Sequence, residues 1–137
     1  MKNIFKVKVY FGDTDAAGIV FYPNFYRWMD QATAELVGCT IMPTSKLYSD
    51  RNILLPLLET HCQHRLPLFY EDIVEIHSEV TEIKNKVLKV EHTFKRNDEV
   101  VAFGYEIRAW TTKQEGRLKA VPIPEDVKEA FGYPVNH

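Results

Sequence analysis

Cysteine is scarce in this sequence. Cys39 and Cys62 are the only two in 137 residues, and neither belongs to a CxxC pair. No group of cysteine and histidine has the spacing of a zinc site, and His61 and His64, three residues apart on a predicted strand, would point to opposite faces of a sheet. We therefore expect two reduced thiols and no bound metal.

Long hydrophobic runs and an excess of positive charge are also absent. No stretch of about 18 apolar residues occurs, so a transmembrane helix is not expected. The N-terminal segment has no apolar stretch after its lysines, so a secretory signal peptide is not expected either. The formal net charge is −2, which provides no positive field for nucleic acid. These absences predict a cytoplasmic protein that neither inserts into a membrane nor binds nucleic acid.

Hydrophobic residues make up 45% of the sequence, enough for the core of one domain. We find no repeat, low-complexity tract or linker, so a single domain is predicted over residues 1–137.

A strand, a turn and a long helix are predicted at the start of the chain. Apolar and polar residues alternate from Phe5 to Phe11, which is the period of a half-buried strand. Residues 12–18 are turn-forming, and Pro23 occupies a favourable first position of a helix. The helix is predicted from Pro23 to Gly38 because one apolar stripe runs along it, formed by Phe25, Trp28, Met29, Ala32 and Leu36.

The rest of the chain is predicted to be mainly β-structure. Residues 39–52 are expected to form a loop with one helical turn at 45–50, and strands follow at 54–66, 73–83, 87–95 and 100–111, with a short helix at 125–131. This order predicts an α+β fold in which an antiparallel sheet of about five strands, the last four in a meander, wraps around one central helix. Because such a sheet keeps exposed edges, a homodimer is expected.

Two carboxylates, Asp13 and Asp15, lie in the turn that leads into the helix. Free backbone N–H groups and the positive end of the helix dipole can stabilise a carbonyl oxygen that becomes an oxyanion. A carboxylate just upstream can act on the same carbonyl directly or through a water, and Gly18 would let a substrate approach the backbone closely. The alternative is a turn with an N-terminal cap, which Asp13 fits better than Asp15 because it follows Gly12.

The stretch DTDAAGIVFYPNFYRW, residues 13–28, resembles the signature of hot-dog-fold thioesterases. It is specifically similar to the 4-hydroxybenzoyl-CoA thioesterase family, which includes the bacterial YbgC-like enzymes. The pattern of that family is Asp-x-Asp-x-x-Gly, then an apolar triplet, an aromatic pair and a tyrosine on the helix. Weaker similarity continues through residues 116–120 and Pro124, so the resemblance covers nearly the whole chain.

The resemblance implies a hot-dog fold and the hydrolysis of acyl-CoA thioesters, with no cofactor besides the coenzyme A of the substrate. It implies that Asp15 is the catalytic nucleophile or general base, that the Tyr22 N–H binds the thioester oxygen, and that Asp13 supports the turn. Asp30 matches a position that meets a polar group of the acyl part, although a solvated helix residue is an equal alternative. Several YbgC-like enzymes have histidine where this chain has Ile19, which favours an aromatic acyl group over a short aliphatic one.

Coenzyme A carries phosphates, so basic residues are expected near the site. The resemblance points to two regions, although each charge in them, taken singly, is more often a solvated surface residue. The candidates are Lys84, Asn85, Lys86, Arg117 and Lys119.

Four polar residues with a spacing of two are predicted to share one face of a strand: Glu59, His61, Gln63 and Arg65. They are either the exposed face of that strand or the wall of a pocket or dimer interface, with Glu59 or His61 near the acyl group.

Three other functions are alternatives to thioester hydrolysis: two other kinds of enzyme and a non-catalytic protein. No Ser–His or Cys–His arrangement has a recognised local signature, and the absence of histidine before His61 disfavours a hot-dog dehydratase. A non-catalytic protein that binds acyl thioesters or serves as a scaffold is the alternative outside enzymes. The predicted assembly is a homodimer or a homotetramer.

Overall fold

A five-stranded antiparallel sheet, in the order β1-β4-β5-β6-β3, wraps around one long helix in the computed structural model, which describes residues 1–132. This arrangement confirms the predicted α+β class and the hot-dog fold. A second sheet of three short strands, β2-β7-β8, lies beside it. The elements are β1 Lys2–Lys8, α1 Pro23–Thr40, α2 Thr44–Arg51, β2 Ile53–Leu54, β3 Leu57–His64, β4 Ile73–Lys84, β5 Val87–Arg96, β6 Glu99–Ala109, β7 Thr111–Gln114, β8 Arg117–Ala120 and α3 Glu125–Ala130.

Helix α1 is the centre of the core. It begins at Pro23 as predicted and continues past Gly38 to Thr40. The whole predicted apolar stripe is buried against the sheet, together with Thr33 and Val37. Gly104 of β6 lets Met29 of α1 lie against the β6 backbone, because a Cβ there would collide with the Sδ of Met29 and lie 2.9 Å from the carbonyl oxygen of His61.

The predicted four-strand meander is wrong at its first strand. β4, β5 and β6 do form consecutive hairpins, but β3 pairs with β6 and β1 pairs with β4. The reason lies in residues 65–72, which join β3 to β4 across one end of the sheet instead of turning back as a hairpin. Backbone hydrogen bonds hold that crossing, from Leu66 N–H to the Val101 oxygen (3.1 Å) and from Val9 N–H to the Asp72 oxygen (2.8 Å).

Four predicted elements have different bounds. The predicted strand 54–66 divides into β2, which pairs with β7, and β3, which pairs with β6, because Pro56 between them has no N–H for a sheet hydrogen bond. The first strand ends at Lys8, and Phe11 lies in a short 3₁₀ turn, Phe11–Asp13, with 75% of its surface exposed. Where a loop with one helical turn was predicted, α2 forms a complete helix because Leu47 is buried in the core. The predicted strand 100–111 divides into β6 and β7 at Trp110, a buried residue whose N–H binds the Lys86 oxygen at 2.8 Å.

The C-terminal helix forms as predicted, with Val127 and Phe131 in the core. The prediction of a single domain extends to His137, and residues 133–137 lie outside the described part of the chain. Within residues 1–132, no helix has both the length and the apolar character that a membrane span requires.

Candidate active site

Asp13 joins the loop before α1 to the first turns of the helix. Its Oδ2 accepts a hydrogen bond from the Tyr10 N–H at 2.9 Å, and its Oδ1 accepts one from the Arg27 guanidinium at 2.8 Å. Its carbonyl oxygen accepts from the Phe21 N–H and from the Asn24 side chain, both at 2.9 Å. Both carboxylate oxygens are therefore occupied within the chain, which is the geometry of a residue that holds a turn.

Asp15 lies at the surface on a compact turn. Its Oδ1 accepts a hydrogen bond from the Ala17 N–H at 2.8 Å, the local bond that aspartate commonly makes in turns. Its backbone N–H binds the Ile19 oxygen (2.9 Å) and its carbonyl accepts from the Gly18 N–H (3.0 Å). Gly18 has φ +78°, a left-handed conformation that favours glycine. The turn thus fixes the direction of the Asp15 carboxylate and leaves it accessible.

The start of α1 lies directly after this turn. Tyr22 is the N-cap residue, and its own N–H has no acceptor within residues 1–132. Such an N–H, at the positive end of a helix, is available to an oxygen of a ligand. The surrounding surface is aromatic, since Phe21, Tyr22, Phe69 and Tyr70 are each about half exposed.

His64 also lies near the start of α1. Its ring contacts the ring of Phe25 at 4.5 Å between centroids, and burial lowers its pKa. His61 lies on the other face of β3, 5.5 Å from the ring of Tyr105. The two histidines therefore point to opposite faces, as predicted. Sequence reasoning missed His64 as a residue near the site, because only the assembled sheet shows that its ring faces α1.

Asp30 lies two turns along α1 from the Asp15 turn, at a small cavity between α1 and α2. Its Oδ1 accepts a hydrogen bond from the Arg108 guanidinium at 2.8 Å, and 67% of the Asp30 side chain remains exposed. The cavity has a volume of about 200 Å³ and is mostly apolar apart from Asp30, Arg108 and two threonines. Its other lining residues are Thr33, Ala34, Val37, Thr44, Leu47, Ile53 and Leu55.

A buried polar network lies behind this cavity, and sequence reasoning missed it. Glu106 accepts hydrogen bonds from Arg108, at 3.1 Å to Oε1 and 2.8 Å to Oε2, and a short one from the Thr33 hydroxyl. His92 lies 3.1 Å from that hydroxyl and 2.6 Å from the Ser78 hydroxyl. Because the single Thr33 proton goes to Glu106, the Thr33 hydroxyl accepts from His92, so Nε2 of His92 carries a proton.

The charge of Glu106 is strongly stabilised. Burial by itself raises the pKa of its carboxyl group, but the neighbouring His92 imidazole, the hydrogen bonds from Arg108 and Thr33 and the charge of Arg108 lower it to about 2. Burial lowers the pKa of Arg108, and the carboxylates of Glu106 and Asp30 more than restore it. Both groups are therefore ionised, and the pair is fully hydrogen-bonded in a buried position.

Glu59 and His61 are not close to Asp15 within one chain. They lie on the face of the sheet away from α1, where the Tyr105 hydroxyl donates to Glu59 at 2.6 Å. His61 and Gln63 line an open groove of about 640 Å³ on that face. The prediction that this strand has one polar face is confirmed, while a role of Glu59 or His61 at the acyl group stays a prediction.

Three of the five residues predicted to bind coenzyme A, Lys84, Asn85 and Lys86, lie at one end of the five-stranded sheet, whereas Arg117 and Lys119 lie on β8 of the second sheet. Lys84, Asn85 and Lys86 form the β4–β5 turn, whose Asn85 oxygen accepts from the Ile123 N–H at 2.9 Å, just after the strand that carries Arg117 and Lys119. All five side chains are exposed. The Asp15 turn lies at the opposite end of β4, which is about 35 Å long. One chain therefore does not bring Lys84 or Lys86 to its own Asp15.

Comparison with known proteins gives a consistent result. A sequence model described as the Thioesterase-like superfamily matches residues 9–131. A 4-hydroxybenzoyl-CoA thioesterase of Pseudomonas sp. (strain CBS-3) is 28% identical, over 89% of this chain and 92% of that protein. A solved gentisyl-coenzyme A thioesterase is 42% identical with a TM-score of 0.82, covering 94% of this chain and 98% of that one. A 4-hydroxybenzoyl-CoA thioesterase solved with 4-hydroxybenzoyl-CoA has a TM-score of 0.88 and 26% identity. That match covers 96% of this chain and 99% of the other.

Proposed function

Since the chain belongs to the thioesterase-like superfamily, we propose that it hydrolyses aromatic acyl-CoA thioesters, such as a hydroxybenzoyl thioester, to the free acid and coenzyme A. The protein is an acyl-CoA thioesterase; the aromatic acyl group, the residues that act and the assembly are the proposal.

The observation that supports the catalytic site is the pairing of an accessible carboxylate with a free N–H at a helix start. The Asp15 turn leads into α1 through Tyr22, whose N–H has no acceptor in the described chain. A thioester oxygen bound to that N–H would be stabilised as it becomes an oxyanion, and one such donor contributes about 3 kcal/mol to lowering a barrier.

Asp15 can act in two ways from this position. Its carboxylate attacks the thioester carbon, which expels coenzyme A as the thiolate and leaves a mixed anhydride that water then hydrolyses. Alternatively, it takes a proton from a water as that water attacks the same carbon. Both routes give the free acid and coenzyme A, and both place the negative oxygen at the Tyr22 N–H.

Three features support an aromatic acyl group. Ile19 replaces the histidine of several aliphatic enzymes, and relatives of this chain are named for hydroxybenzoyl and gentisyl thioesters. Asp30 lies eight residues beyond Tyr22, about 12 Å along the helix axis. A substituted benzoyl group with a hydrogen bond at each end can span that distance.

A second copy of the chain is part of the proposal. Lys84, Lys86 and their neighbours lie too far from Asp15 to bind the coenzyme A of the same chain's substrate. In a homodimer or homotetramer, a partner can supply them, and the aromatic surface around Tyr22 and the open edge of β3 would be covered.

Thiol release from a panel of acyl-CoAs tests this function. The panel runs from acetyl and palmitoyl to benzoyl and hydroxybenzoyl thioesters, and Asp15→Asn is the matched isosteric variant. We expect preference for the aromatic thioesters and a loss of at least about a hundredfold in turnover for a folded Asp15→Asn. Activity on aliphatic chains alone would reject the aromatic group, and binding without thiol release would favour the non-catalytic alternative.

A further inference from the structure

Arg108 connects the buried network of β6 to the surface of the cavity. Its guanidinium donates to both oxygens of Glu106, to the Leu55 carbonyl at 2.8 Å and to Asp30 Oδ1 at 2.8 Å. Only 11% of the Arg108 side chain is exposed, compared with 67% for Asp30. The interior of the protein thus fixes the position of Arg108. Of the two acids that Arg108 contacts, Glu106 is buried and Asp30 is accessible to a ligand.

The position of Arg108 is determined by groups that do not themselves reach the cavity mouth. Glu106 is 1% exposed and His92 is 1% exposed, and both are hydrogen-bonded on the α1 side of the sheet. A planar guanidinium that bridges two carboxylates and a carbonyl has one orientation, so its N–H toward Asp30 is also fixed. Asp30 Oδ1 is therefore occupied, while Oδ2 has no partner within residues 1–132.

The charges of this group determine which acyl group it would accept. Glu106 and Asp30 are two negative charges and Arg108 is one positive charge, so these three side chains carry a net negative charge. An acyl group with a carboxylate would be repelled, and an unsubstituted ring would leave Asp30 Oδ2 without a donor once water is excluded. A hydroxyl group can donate to Oδ2.

We propose that Arg108 is a positioning residue for substrate selection, which holds the Asp30 carboxylate so that Oδ2 accepts a hydrogen bond from a hydroxyl group on the acyl part. The inference rests on the proposed function and deepens it, since it assigns the selection to a residue that touches Asp30 and not the reacting atoms. The site then favours hydroxyaryl thioesters over unsubstituted and carboxylated ones.

The test compares kcat/KM for 4-hydroxybenzoyl-CoA and benzoyl-CoA in wild type and Arg108→Lys. Lysine keeps the charge next to Glu106 but cannot bridge both carboxylates. We expect the hydroxybenzoyl preference to fall at least about fivefold, mainly through a higher KM for 4-hydroxybenzoyl-CoA, because the lost contact acts on substrate binding. The kcat/KM for benzoyl-CoA should fall by a clearly smaller factor than the kcat/KM for 4-hydroxybenzoyl-CoA. If kcat/KM fell by the same factor for both substrates, the role of Arg108 would be merely structural and the proposal would be overturned.

Asp30→Asn provides the second part of the test. If Arg108 acts through Asp30, adding Arg108→Lys to Asp30→Asn produces no further change in preference. If the two substitutions each lowered the hydroxybenzoyl preference and their factors multiplied in the double variant, Arg108 would not act through Asp30. Should Arg108→Lys fail to fold, the Glu106→Gln/Arg108→Met variant removes both buried charges together and is measured in the same way.

Failure of the proposed function is distinguishable from failure of this inference. If wild type hydrolyses neither thioester, the proposed function is wrong, and calorimetry with 4-hydroxybenzoate and benzoate then measures the same preference as binding. A preference that Arg108→Lys abolishes would support the inference, and equal binding of the two acids by wild type would overturn it.

Discussion

Arg108 and Glu106 lie side by side on the α1 face of β6, with their guanidinium and carboxylate in contact at 2.8 Å and 3.1 Å. Residues two apart on a strand share a face, and here that face is buried under a helix. A buried ion pair is tolerated only when its remaining groups are hydrogen-bonded, and Thr33, His92 and the Leu55 carbonyl fulfil that condition. The network therefore links the core of the fold to Asp30.

Stability is expected to fall in acid because of Glu106. Its pKa is lowered from 4.5 to about 2 in the folded protein, so its charge stabilises the fold fully above pH 4.5 and this contribution is lost as the pH falls toward 2. The shift corresponds to about 3 kcal/mol. Urea unfolding between pH 7 and 2 measures it. Glu106→Gln should be less stable at pH 7 and should lose less stability between pH 4.5 and 2 than wild type. If the free energies of unfolding of wild type and Glu106→Gln ran parallel between pH 4.5 and 2, the acid sensitivity would not come from Glu106.

The sequence predicted this region only in part, because the face of β6 could not be read from alternation. In the sequence of β6 the apolar residues Phe103, Tyr105 and Ile107 alternate with Gly104, Glu106 and Arg108, which would put the apolar residues in the core. In the structure Gly104, Glu106 and Arg108 are the residues that face α1. The β5–β6 register shifts between Phe94 and Lys95, and both Val101 and Ala102 are buried there. This β-bulge reverses which of the two alternating sets of β6 side chains faces the core. No residue type at this position indicates a bulge in the sequence.

The stretch from Asp13 to Trp28 was predicted well because its interactions are local. The turn, the Pro23 start and the apolar stripe of α1 involve neighbours in sequence. The pairing of β3 with β6 and the separation of Lys84 from Asp15 depend on contacts between distant residues, so a single sequence does not determine them. The same limit applies to the Arg108–Asp30 pair, which joins residues 78 positions apart.

Gly104→Ala is expected to destabilise the protein. The added methyl group would collide with Met29 and with the His61 carbonyl, and overpacking of a core costs about 1–3 kcal/mol. Gly12→Ala is the matched control, because nothing lies within 4 Å of a Cβ at that position. Thermal unfolding of the two variants measures the difference. A Gly104→Ala variant as stable as Gly12→Ala would show that α1 shifts readily away from β6.

The two cysteines are expected to differ in reactivity. Burial raises the pKa of the Cys62 thiol to about 11, whereas Cys39 is exposed at the end of α1. A thiol-reactive dye should therefore label Cys39 quickly in the native protein and Cys62 only after unfolding. Cys39→Ser removes the fast phase and is also the suitable background for thiol-release assays. Rapid labelling of Cys62 in native Cys39→Ser would contradict the burial of β3 under α1.

Asp13 and Asp15 are expected to respond differently to the same change. Asp13 uses both carboxylate oxygens within the chain, and the Arg27 side chain of its ion pair is half exposed, so Asp13→Asn should cost about 1 kcal/mol of stability or less. Its turnover should stay within about tenfold of wild type, while Asp15→Asn loses at least about a hundredfold. Turnover and urea unfolding of both variants measure this. Equal losses of turnover in two folded variants would argue against a chemical role confined to Asp15.

Mixing two inactive variants is expected to restore activity if each site combines two chains. One variant carries Asp15→Asn and the other carries Lys84→Glu with Lys86→Glu, at the opposite end of β4. After co-refolding, a mixed dimer has one site with an intact Asp15 from one chain and intact lysines from its partner, so about a quarter of the wild-type activity should return. Each variant refolded alone is the control. If the site lay within a single chain, the mixture would stay inactive; if the lysine variant alone were fully active, these lysines would not bind coenzyme A.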